Sequence, residues 1–392
     1  MKKIALFLTL AAFAALPAAG QSTPGCHEVK IPSIDGYVTL KGDMHVHTIF
    51  SDATVWPTTR VDEAVLDGLD FIAITDHVEG RHMKMVNSGL FNADRDESYR
   101  IAAKQGKSKG IMVLHGGELT NQLMPPGHFN ATFLSSAEKF GQAIDSKPKN
   151  SIESCLVGLK EAKNQGAFIV WNHPNWSRQA PNETIWHPIH TTIYNDGMMN
   201  GIEIFNQWDG FCPEAFHWAV EKNLTIVAGT DVHCPMANWI DYTNGEKRPL
   251  TLVFAKEKSI EGIKEALVAR RTAVVARDNV YGAEEFISPL ADKIIEVKKV
   301  TYSSNKKIVL TLHNCSDIPV VLKKAPGYEK FGYTRDIVIG PGADYTQNVS
   351  MAKWGDVFDV KSFEIGFHVT NFHTDIDVHP VYTVSFDRPE GK

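Results

Sequence analysis

Short apolar, β-branched runs alternate with helical patterns along the first two thirds of the chain. The predicted strands cover residues 40–46, 71–75, 111–114, 168–171, 201–205, 225–228, 251–254 and 273–276. The predicted helices between them cover residues 60–67, 98–107, 152–164, 214–222 and 260–269. Such alternation is typical of a parallel sheet with helices outside, and we expect it to close into a barrel.

The pattern changes after about residue 282. A short predicted helix at 284–290 is followed by runs with a period of two, which is typical of antiparallel strands. These runs cover residues 294–302, 307–312, 320–324, 337–339, 345–349 and 365–369. We therefore expect an α/β barrel over residues 39–280 and a small C-terminal antiparallel, β-sandwich-like domain over 281–392.

The first twenty residues have the pattern of an export signal. Lys2 and Lys3 precede an apolar run over 4–16, and small residues at 18–20 offer a cleavage site. The run is shorter than the roughly 20 residues that span a bilayer. We expect residues 1–20 to be removed, 21–38 to form a linker and the product to be periplasmic or secreted. Thr-Pro-Gly before Cys26 does not resemble a lipoprotein signal, so we expect no lipid anchor there.

Composition narrows the class of protein. Hydrophobic residues make up 43% and charged residues 22% of the 392, as in globular proteins. The net charge of −6 excludes a strongly basic surface, so we expect no nucleic-acid partner. The five cysteines follow no metal-binding spacing. In an oxidising compartment Cys212 and Cys234 are the pair that we favour for a disulfide.

Histidines and carboxylates cluster where the predicted strands end. Residues i and i+2 of a strand point the same way, so each His-x-His or Asp-x-His pair directs two side chains at one point. In a barrel of this kind the ends of the strands form the active face. The nine candidates are His45, His47, Asp52, His77, Glu118, His128, His173, Asp231 and His233.

This donor set predicts a metal centre. Imidazole and carboxylate are ligands for zinc, manganese and iron, and the residues do not discriminate among the three. Nine ligands are too many for one tetrahedral ion. The set fits two or three divalent ions that share bridging carboxylates.

In this order the nine positions match a known family. The chain resembles the polymerase-and-histidinol-phosphatase (PHP) superfamily of metal-dependent phosphoesterases. Its pattern is His-x-His followed by Ser-Asp, then Thr-Asp-His, a Glu, a His, a His-Pro and a closing Asp-x-His, found here over residues 45–233. The resemblance covers residues 39–280 and implies a distorted seven-stranded (β/α) barrel.

The resemblance also implies how the ions are shared. The first would be held by His45, His47, Glu118 and Asp231. The second would be held by Glu118 with His128 and His173, and the third by Asp52, His77 and His233. The export signal and the extra β domain resemble a secreted phosphodiesterase-like branch, the Sb-PDE type.

We expect an exported metal-dependent phosphodiesterase that hydrolyses small organic phosphodiesters through attack by a metal-bound hydroxide. Glu118 and Asp231 are the predicted catalytic carboxylates, and Asp231 is placed to take a proton. The chain has no GxSxG elbow and no phosphate-binding Walker loop. The alternatives are a phosphomonoesterase, a metal-dependent hydrolase of a non-phosphate bond, and a non-enzymatic module that binds envelope or glycan.

Substrate contacts are predicted beyond the metal ligands. Arg81, His82 and Lys84 follow His77 and could face a phosphate. Asn206 is the fourth predicted substrate-binding residue. The aromatic candidates for the pocket wall are Trp176, Trp186 and Trp208. His115 is left out because it lies three residues before Glu118 and would face away from it on an extended strand.

Overall fold

A computed structural model of the chain describes residues 27–80, 83, 88–89, 94–120, 125–178, 180–302, 307–329, 331–350, 352–353, 356–357 and 362–387. The predicted signal peptide and Cys26 lie outside these residues. So do Arg81, His82 and Lys84, so their predicted contacts with substrate stay predictions. Among the described residues, no helix combines the length and apolarity that a membrane span needs.

Helices and strands follow the order predicted from the apolar pattern, with additions. The helices are α1 (Pro57–Leu66), α2 (Glu97–Lys109), α3 (Ala137–Asp145), α4 (Ile152–Asn164), α5 (Pro188–Asn195), α6 (Pro213–Lys222), α7 (Ile260–Val268) and α8 (Glu284–Ile294). The barrel strands are β1 (Val38–Val46), β2 (Phe71–Ile74), β3 (Met112–Thr120), β4 (His128–Thr132), β5 (Phe168–Trp171), β6 (Gly201–Asn206), β7 (Gly210–Phe211), β8 (Thr225–Gly229), β9 (Leu250–Ala255), β10 (Thr272–Ala276) and β11 (Asn279–Gly282).

The remaining strands belong to the C-terminal part of the chain. They are β12 (Ile295–Tyr302), β13 (Lys307–Asn314), β14 (Val320–Lys324), β15 (Asp336–Ile339), β16 (Asp344–Ser350), β17 (Ala352–Lys353), β18 (Asp356–Val357), β19 (Ser362–Val369), β20 (Phe372–His373) and β21 (Val381–Asp387).

Local chemistry explains where several elements begin. Ser136, Ser151 and Ser259 precede α3, α4 and α7, and each side chain accepts a hydrogen bond from a backbone N–H of the first turn. The four residues of β2 are all buried, as expected for a strand covered on both faces.

The barrel is a single curled sheet of twelve strands. Its order is β20-β11-β10-β9-β1-β2-β3-β4-β5-β6-β7, and β8 pairs with β6. The sheet curls until the end of β1 meets the residues after β8. There the Asp231 N–H donates to the His45 carbonyl at 2.8 Å, and Val46 forms a parallel bridge with Val232. The distorted barrel expected from the family pattern is confirmed.

The expectation of a parallel sheet is wrong for part of the barrel. Strands β1, β2 and β3 are parallel, and so are β5, β6 and β8. Strand β4 pairs antiparallel with both of its neighbours, and β9, β10 and β11 are antiparallel as well. The apolar pattern misses this difference because it reports which residues are buried and not the direction of the neighbouring strand.

The C-terminal part is the antiparallel β domain that the alternating pattern predicts. One sheet has the order β12-β13-β16 and the other β15-β14-β19-β21. Leu310 of β13 shares one apolar core with Leu322 and Ile365 of the other sheet, so the two sheets pack face to face.

This core continues into the barrel. Leu290 of α8 belongs to the same cluster as Ile72 of the barrel and Ile365 of the β domain. The β domain also supplies β20, which pairs with the edge strand β11 of the barrel sheet. The Tyr382 hydroxyl donates to the Ile295 carbonyl at 3.0 Å beneath α8. The two parts of the chain are therefore joined by backbone pairing as well as by apolar packing.

The disulfide that we favoured is not formed. Cys212 and Cys234 are both free thiols in the structure. Cys212 is buried at the start of α6, whereas Cys234 is partly exposed directly after the Asp-x-His segment that ends at His233. The expected oxidising compartment would permit a disulfide, but the fold places the two thiols on separate elements.

We expect Leu290→Ala to lower the free energy of unfolding by about 2–5 kcal/mol, the usual cost of such a cavity. Leu290 is fully buried in the shared core, so the barrel and the β domain should lose stability together. The measurement is chemical denaturation followed by circular dichroism and tryptophan fluorescence. Val268→Ala, at a side chain that is 60% exposed, is the control and should change little. Two separate unfolding transitions, only one of which shifts to lower denaturant in Leu290→Ala, would contradict a shared core.

Candidate metal centre

The structure brings all nine predicted ligand residues to one edge of the barrel. His45, Glu118 and His128 lie within strands, and the others follow strand ends in the loops. Strand β4 runs opposite to β3 and β5. Its first residue, His128, therefore lies at the same edge as the last residues of those neighbours. Antiparallel pairing, which the sequence did not indicate, is what brings this histidine to the centre.

Four of the residues converge at the floor of the centre. The His45 and His47 Nε2 atoms are 3.0 Å apart. The Asp231 Oδ1 atom lies 3.3 Å from the first and 3.0 Å from the second. Glu118 Oε1 lies 3.5 Å from His45 Nε2. These donor atoms, predicted to hold the first ion, therefore face a common point.

Glu118 connects this point with a second group. Its Oε1 atom is 3.3 Å from His128 Nδ1 and 3.6 Å from His173 Nε2. Its Oε2 atom is 2.6 Å from His77 Nδ1. The Asn172 side-chain amide donates to Oε1 at 2.8 Å and holds the carboxylate in place. A carboxylate that faces several imidazoles in this way has the position of a bridging ligand.

The outer end of the centre is formed by Asp52 with two histidines. The Asp52 Oδ1 atom lies 3.1 Å from His233 Nε2 and 3.4 Å from His77 Nε2. Asp76, the middle residue of Thr-Asp-His, accepts hydrogen bonds from the Thr48 N–H at 2.7 Å and the Ser51 hydroxyl at 2.6 Å. It thereby fixes the loop that presents Asp52.

The donor geometry fits divalent ions. Zinc lies about 2.0–2.2 Å from nitrogen and oxygen ligands, so two ligands of one ion are roughly 3–4 Å apart. Four overlapping groups have all their candidate ligand atoms within 4.8 Å of one another. The groups are His47–Asp52–His77–His233, His45–His47–Glu118, His45–His173–Asp231 and Glu118–His128–His173.

These groups resemble the expected division among three ions. The set expected for the second ion, Glu118 with His128 and His173, forms one of the four groups. The set expected for the third ion forms another group, to which His47 is added. The set expected for the first ion is divided between the two groups that contain His45. The assignment of each residue to an ion stays a prediction.

Glu203 of β6 is a supporting residue that the sequence analysis missed. Its carboxylate lies 3.2 Å from His45 Nδ1 and accepts the His173 N–H at 2.8 Å. A carboxylate behind an imidazole fixes the ring and directs the other nitrogen at the metal. The available signal was a lone glutamate in the apolar strand of residues 201–206, all buried.

Asn206, predicted to bind substrate, lies behind Asp231 in the structure. Its amide donates to Glu203 Oε2 at 3.2 Å and to Asp231 Oδ2 at 3.5 Å. Its oxygen accepts the Trp208 N–H at 2.9 Å. The side chain is buried, and it is not among the residues that line the cleft. Asn206 therefore helps to position Asp231, and its contact with substrate stays a prediction.

A buried arginine joins the two strand ends that carry Asp-x-His and His-x-His. Arg60 of α1 donates to the carbonyls of His47 at 2.8 Å, Val232 at 3.0 Å and Cys234 at 2.8 Å. Its charge is balanced by Glu63 at 2.8 Å. The spacing between His47 and the segment after β8 is therefore set by one guanidinium.

A second buried arginine supports the same strand ends from below. Arg248 lies between Asp43 at 2.8 Å and Asp67 at 2.9 Å. Asp43 in turn accepts the backbone N–H groups of His45 at 3.0 Å and Thr230 at 3.1 Å. This ion pair links β1 to the residues that precede Asp231.

The carboxylates determine the charge of the floor. Burial alone would lower the pKa of His45, but nearby carboxylates, first Asp231 and then Glu203, raise that pKa to about 10. Burial would raise the pKa of Glu118, yet the surrounding imidazoles, His77 first, hold this pKa well below its usual range. The site therefore stabilises positive charge among its carboxylates, as a cation site does.

Two histidines are kept neutral. Burial, with His233 and His77 nearby, lowers the pKa of His47 to about 4. Burial also lowers the pKa of His128 to about 4, against the attraction of Glu118. Neutral imidazole is the form that binds a metal ion.

The centre opens into a cleft of about 550 Å³. Most of its lining consists of the candidate ligands and Thr120. The other lining residues are Trp176, Arg178, Trp208 and Asp209. Trp186, also predicted for the wall, instead packs against Trp171 and Trp218. Burial raises the pKa of Asp209 to about 6.

His115 lies outside the centre, as its spacing from Glu118 predicts. Its Nε2 atom is 3.0 Å from Asp96, and its ring stacks on Tyr99 of α2 at 4.0 Å.

A distorted (β/α) barrel with histidines and carboxylates gathered at the floor of one cleft defines a metal-dependent hydrolase. The chain is similar to the crystal structure of a two-domain protein from Bacteroides vulgatus that contains a predicted PHP-like metal-dependent phosphoesterase. The two chains are 37% identical, the match covers 92% of this chain and 98% of the other, and the TM-score is 0.83. The protein belongs to the PHP-like metal-dependent phosphoesterases.

Other comparisons concern the separate parts of the chain. A family model described as an Ig-like domain matches residues 295–385. A proposed metal-dependent phosphoesterase from Bifidobacterium adolescentis is 16% identical, with 49% of this chain and 87% of the other covered and a TM-score of 0.36. An amidohydrolase from Chromobacterium violaceum is 15% identical, with 50% and 88% covered and a TM-score of 0.33. No curated protein sequence matches the chain.

We expect Glu203→Gln to weaken zinc or manganese binding by about 10–100-fold, the usual effect of losing a carboxylate behind a ligating histidine. The amide keeps the size of the side chain but no longer attracts the His45 Nδ1 proton. Competition with a chromogenic chelator measures the dissociation constants. Glu153→Gln, at an exposed site on α4, is the matched control. Equal metal affinity in Glu203→Gln and Glu153→Gln would show that Glu203 does not support metal binding through His45.

Proposed function

We propose that the protein is an exported metal-dependent phosphodiesterase that acts on small organic phosphodiesters. The observation that carries this proposal is the set of overlapping ligand groups that share Glu118 and line one cleft. A centre with adjoining ions suits phosphoryl transfer, in which charge spreads over several oxygens at once.

The residues would hold two or three ions, zinc, manganese or iron. His45, His47, Glu118 and Asp231 would bind one, Glu118 with His128 and His173 another, and Asp52, His77 and His233 a third. Such ions, when bound, supply Lewis acidity toward phosphoryl oxygens and make hydroxide available near neutral pH.

The two central carboxylates have different tasks. Glu118 is almost completely buried among imidazoles, so it would serve as a bridging ligand and cannot exchange protons readily with solvent. Asp231 is 15% exposed and lines the cleft. Its hydrogen bonds to Asn206 and His47 orient it, and it is the carboxylate placed to accept a proton from the attacking water.

The proposed location and substrate size follow from other features. The apolar leader at residues 4–16 supports export. The cleft of about 550 Å³ has the size of a small-molecule site. The net charge of −6 disfavours a nucleic-acid partner.

The decisive experiment compares kcat/KM for an aryl phosphodiester and the matching monoester, with the mature chain loaded with metal. We expect a preference for the diester. We also expect Asp231→Asn and Glu118→Gln to reduce kcat by more than about 100-fold, beyond what loss of an outer carboxylate costs. Asp62→Asn, at an exposed site on α1, is the control.

A preference for the monoester would make the protein a phosphatase. No turnover of either ester would favour a non-phosphate hydrolase, and full activity in both carboxylate variants would refute the metal-centred mechanism.

Removal of metal should abolish turnover and leave the fold in place. The ligand side chains come from strands and loops that are already held by Arg60 and Arg248, so a chelator is expected to empty the site without unfolding the barrel. Activity and circular dichroism are measured before and after dialysis against chelator. Activity is then measured again after addition of zinc, manganese or ferrous iron. Undiminished turnover in a protein shown by elemental analysis to be metal-free would contradict the prediction.

A further inference from the structure

Two tryptophans in the cleft wall border different parts of the centre. The Trp176 ring lies 5.2 Å from the His128 ring and 5.4 Å from the His173 ring. The Trp208 ring lies 6.2 Å from the His233 ring. His128 and His173 belong to one ligand group, whereas His233 belongs to another. An aromatic surface therefore lies beside each of two separate ligand groups.

Trp208 is held rigidly although 49% of its surface is exposed. Its indole N–H donates to the Asp231 carbonyl at 2.9 Å, and its backbone N–H donates to Asn206. The ring packs against Trp239 at 3.8 Å. Because both N–H groups are satisfied within the protein, only the ring face remains for a ligand. An ordered apolar surface beside a polar cleft is typical of a binding site.

Trp176 is accompanied by a positive charge. The Arg178 guanidinium lies 5.5 Å from the Trp176 ring centre, within the range of a cation–π contact. Both residues line the cleft. The Trp176 backbone N–H donates to the His173 carbonyl at 3.0 Å, which ties the aromatic ring to the metal centre. This side offers a ring face for an organic group and a cation for a phosphate oxygen.

The side of Trp208 disfavours additional negative charge. Asp209 follows Trp208 and also lines the cleft. This carboxylate would repel a second charged oxygen of a substrate on that side of the cleft.

We propose that the cleft binds the monoanion of a phosphodiester with one uncharged organic group against Trp176 and the other against Trp208, while Arg178 faces the phosphate. This inference rests on the proposed phosphodiesterase activity and names its substrate class. At least one of the two groups is planar, because indole rings bind planar groups by stacking. A phosphomonoester has only one organic group. In place of the other it has a second negatively charged oxygen, which would face the Asp209 carboxylate.

Phosphinates test this arrangement without turnover, because their phosphorus–carbon bonds are not hydrolysed by an esterase. The probes are diphenylphosphinate, methyl(phenyl)phosphinate and dimethylphosphinate, titrated calorimetrically into the metal-loaded mature protein. We expect Trp176→Ala and Trp208→Ala each to weaken diphenylphosphinate binding by about tenfold, as for loss of one aromatic stacking contact. Dimethylphosphinate should bind equally to all three proteins. The methyl(phenyl) compound should be sensitive to one of the two substitutions.

Matched controls separate binding from folding. Trp176→Phe and Trp208→Phe should recover most of the affinity, because a ring face is retained. Trp56→Ala, at an exposed tryptophan that does not line the cleft, should bind like the wild type. Metal content is measured for every variant so that loss of an ion is not mistaken for loss of a contact.

The charge of the wall is tested with phenylphosphonate, which carries a second negative charge. Asp209→Asn is expected to improve phenylphosphonate binding several-fold and to leave diphenylphosphinate binding nearly unchanged. Unchanged diphenylphosphinate affinity in both alanine variants, or no binding to the wild type, would overturn the inference. Turnover of an aryl diester by the wild type would in that case still support the proposed phosphodiesterase. Phosphinate binding that depends on both tryptophans, without turnover of any ester, would instead refute the proposed activity alone.

Discussion

The structure depends on keeping the carboxylates of the buried Glu118 and the partly exposed Asp231 among imidazoles at one edge of a curled sheet. Taking an ion out of water costs several kcal/mol unless the ion is paired and hydrogen-bonded. Here Glu118 lies 2.6 Å from His77 Nδ1, and Asp231 lies 3.0 Å from His47 Nε2. The same attraction favours a divalent ion, because metal binding replaces the imidazole protons. Much of the surrounding barrel can be understood as a frame that prevents these groups from moving apart.

That frame is built largely from buried hydrogen bonds. Arg60 donates to three backbone carbonyls, one after β1 and two after β8, where the curled sheet closes. Arg248 joins Asp43 and Asp67 below this point. Glu203 adds a carboxylate behind His45. These groups belong to helices, loops and strands that are distant in sequence, so the geometry of the centre is a property of the whole barrel. Residues that orient the ligands from behind in this way commonly affect metal affinity nearly as much as the ligands themselves.

The sequence predicts the centre well and its surroundings poorly, for a physical reason. His45 and His47 can be recognised as one cluster because side chains two apart in a strand face the same way. Glu203 cannot be recognised in this way, because its partners are His45 in β1 and His173 in the loop after β5. The directions of β4 and β9 are hidden because apolar periodicity reports burial and not pairing. Asp209 lies in a loop, and the path of a loop over the cleft is decided by packing that no local pattern reveals.

The pairing of β20 with β11 has a consequence for how the chain can be divided. An unpaired strand edge invites another chain to add to it, and proteins usually protect such edges. Here the protecting strand comes from the β domain, between β19 and β21 of its second sheet. A barrel released by cutting after α8 would expose β11 and the apolar surface around Leu290. The Ig-like part is therefore not a detachable appendage, because it covers both a strand edge and an apolar surface of the barrel.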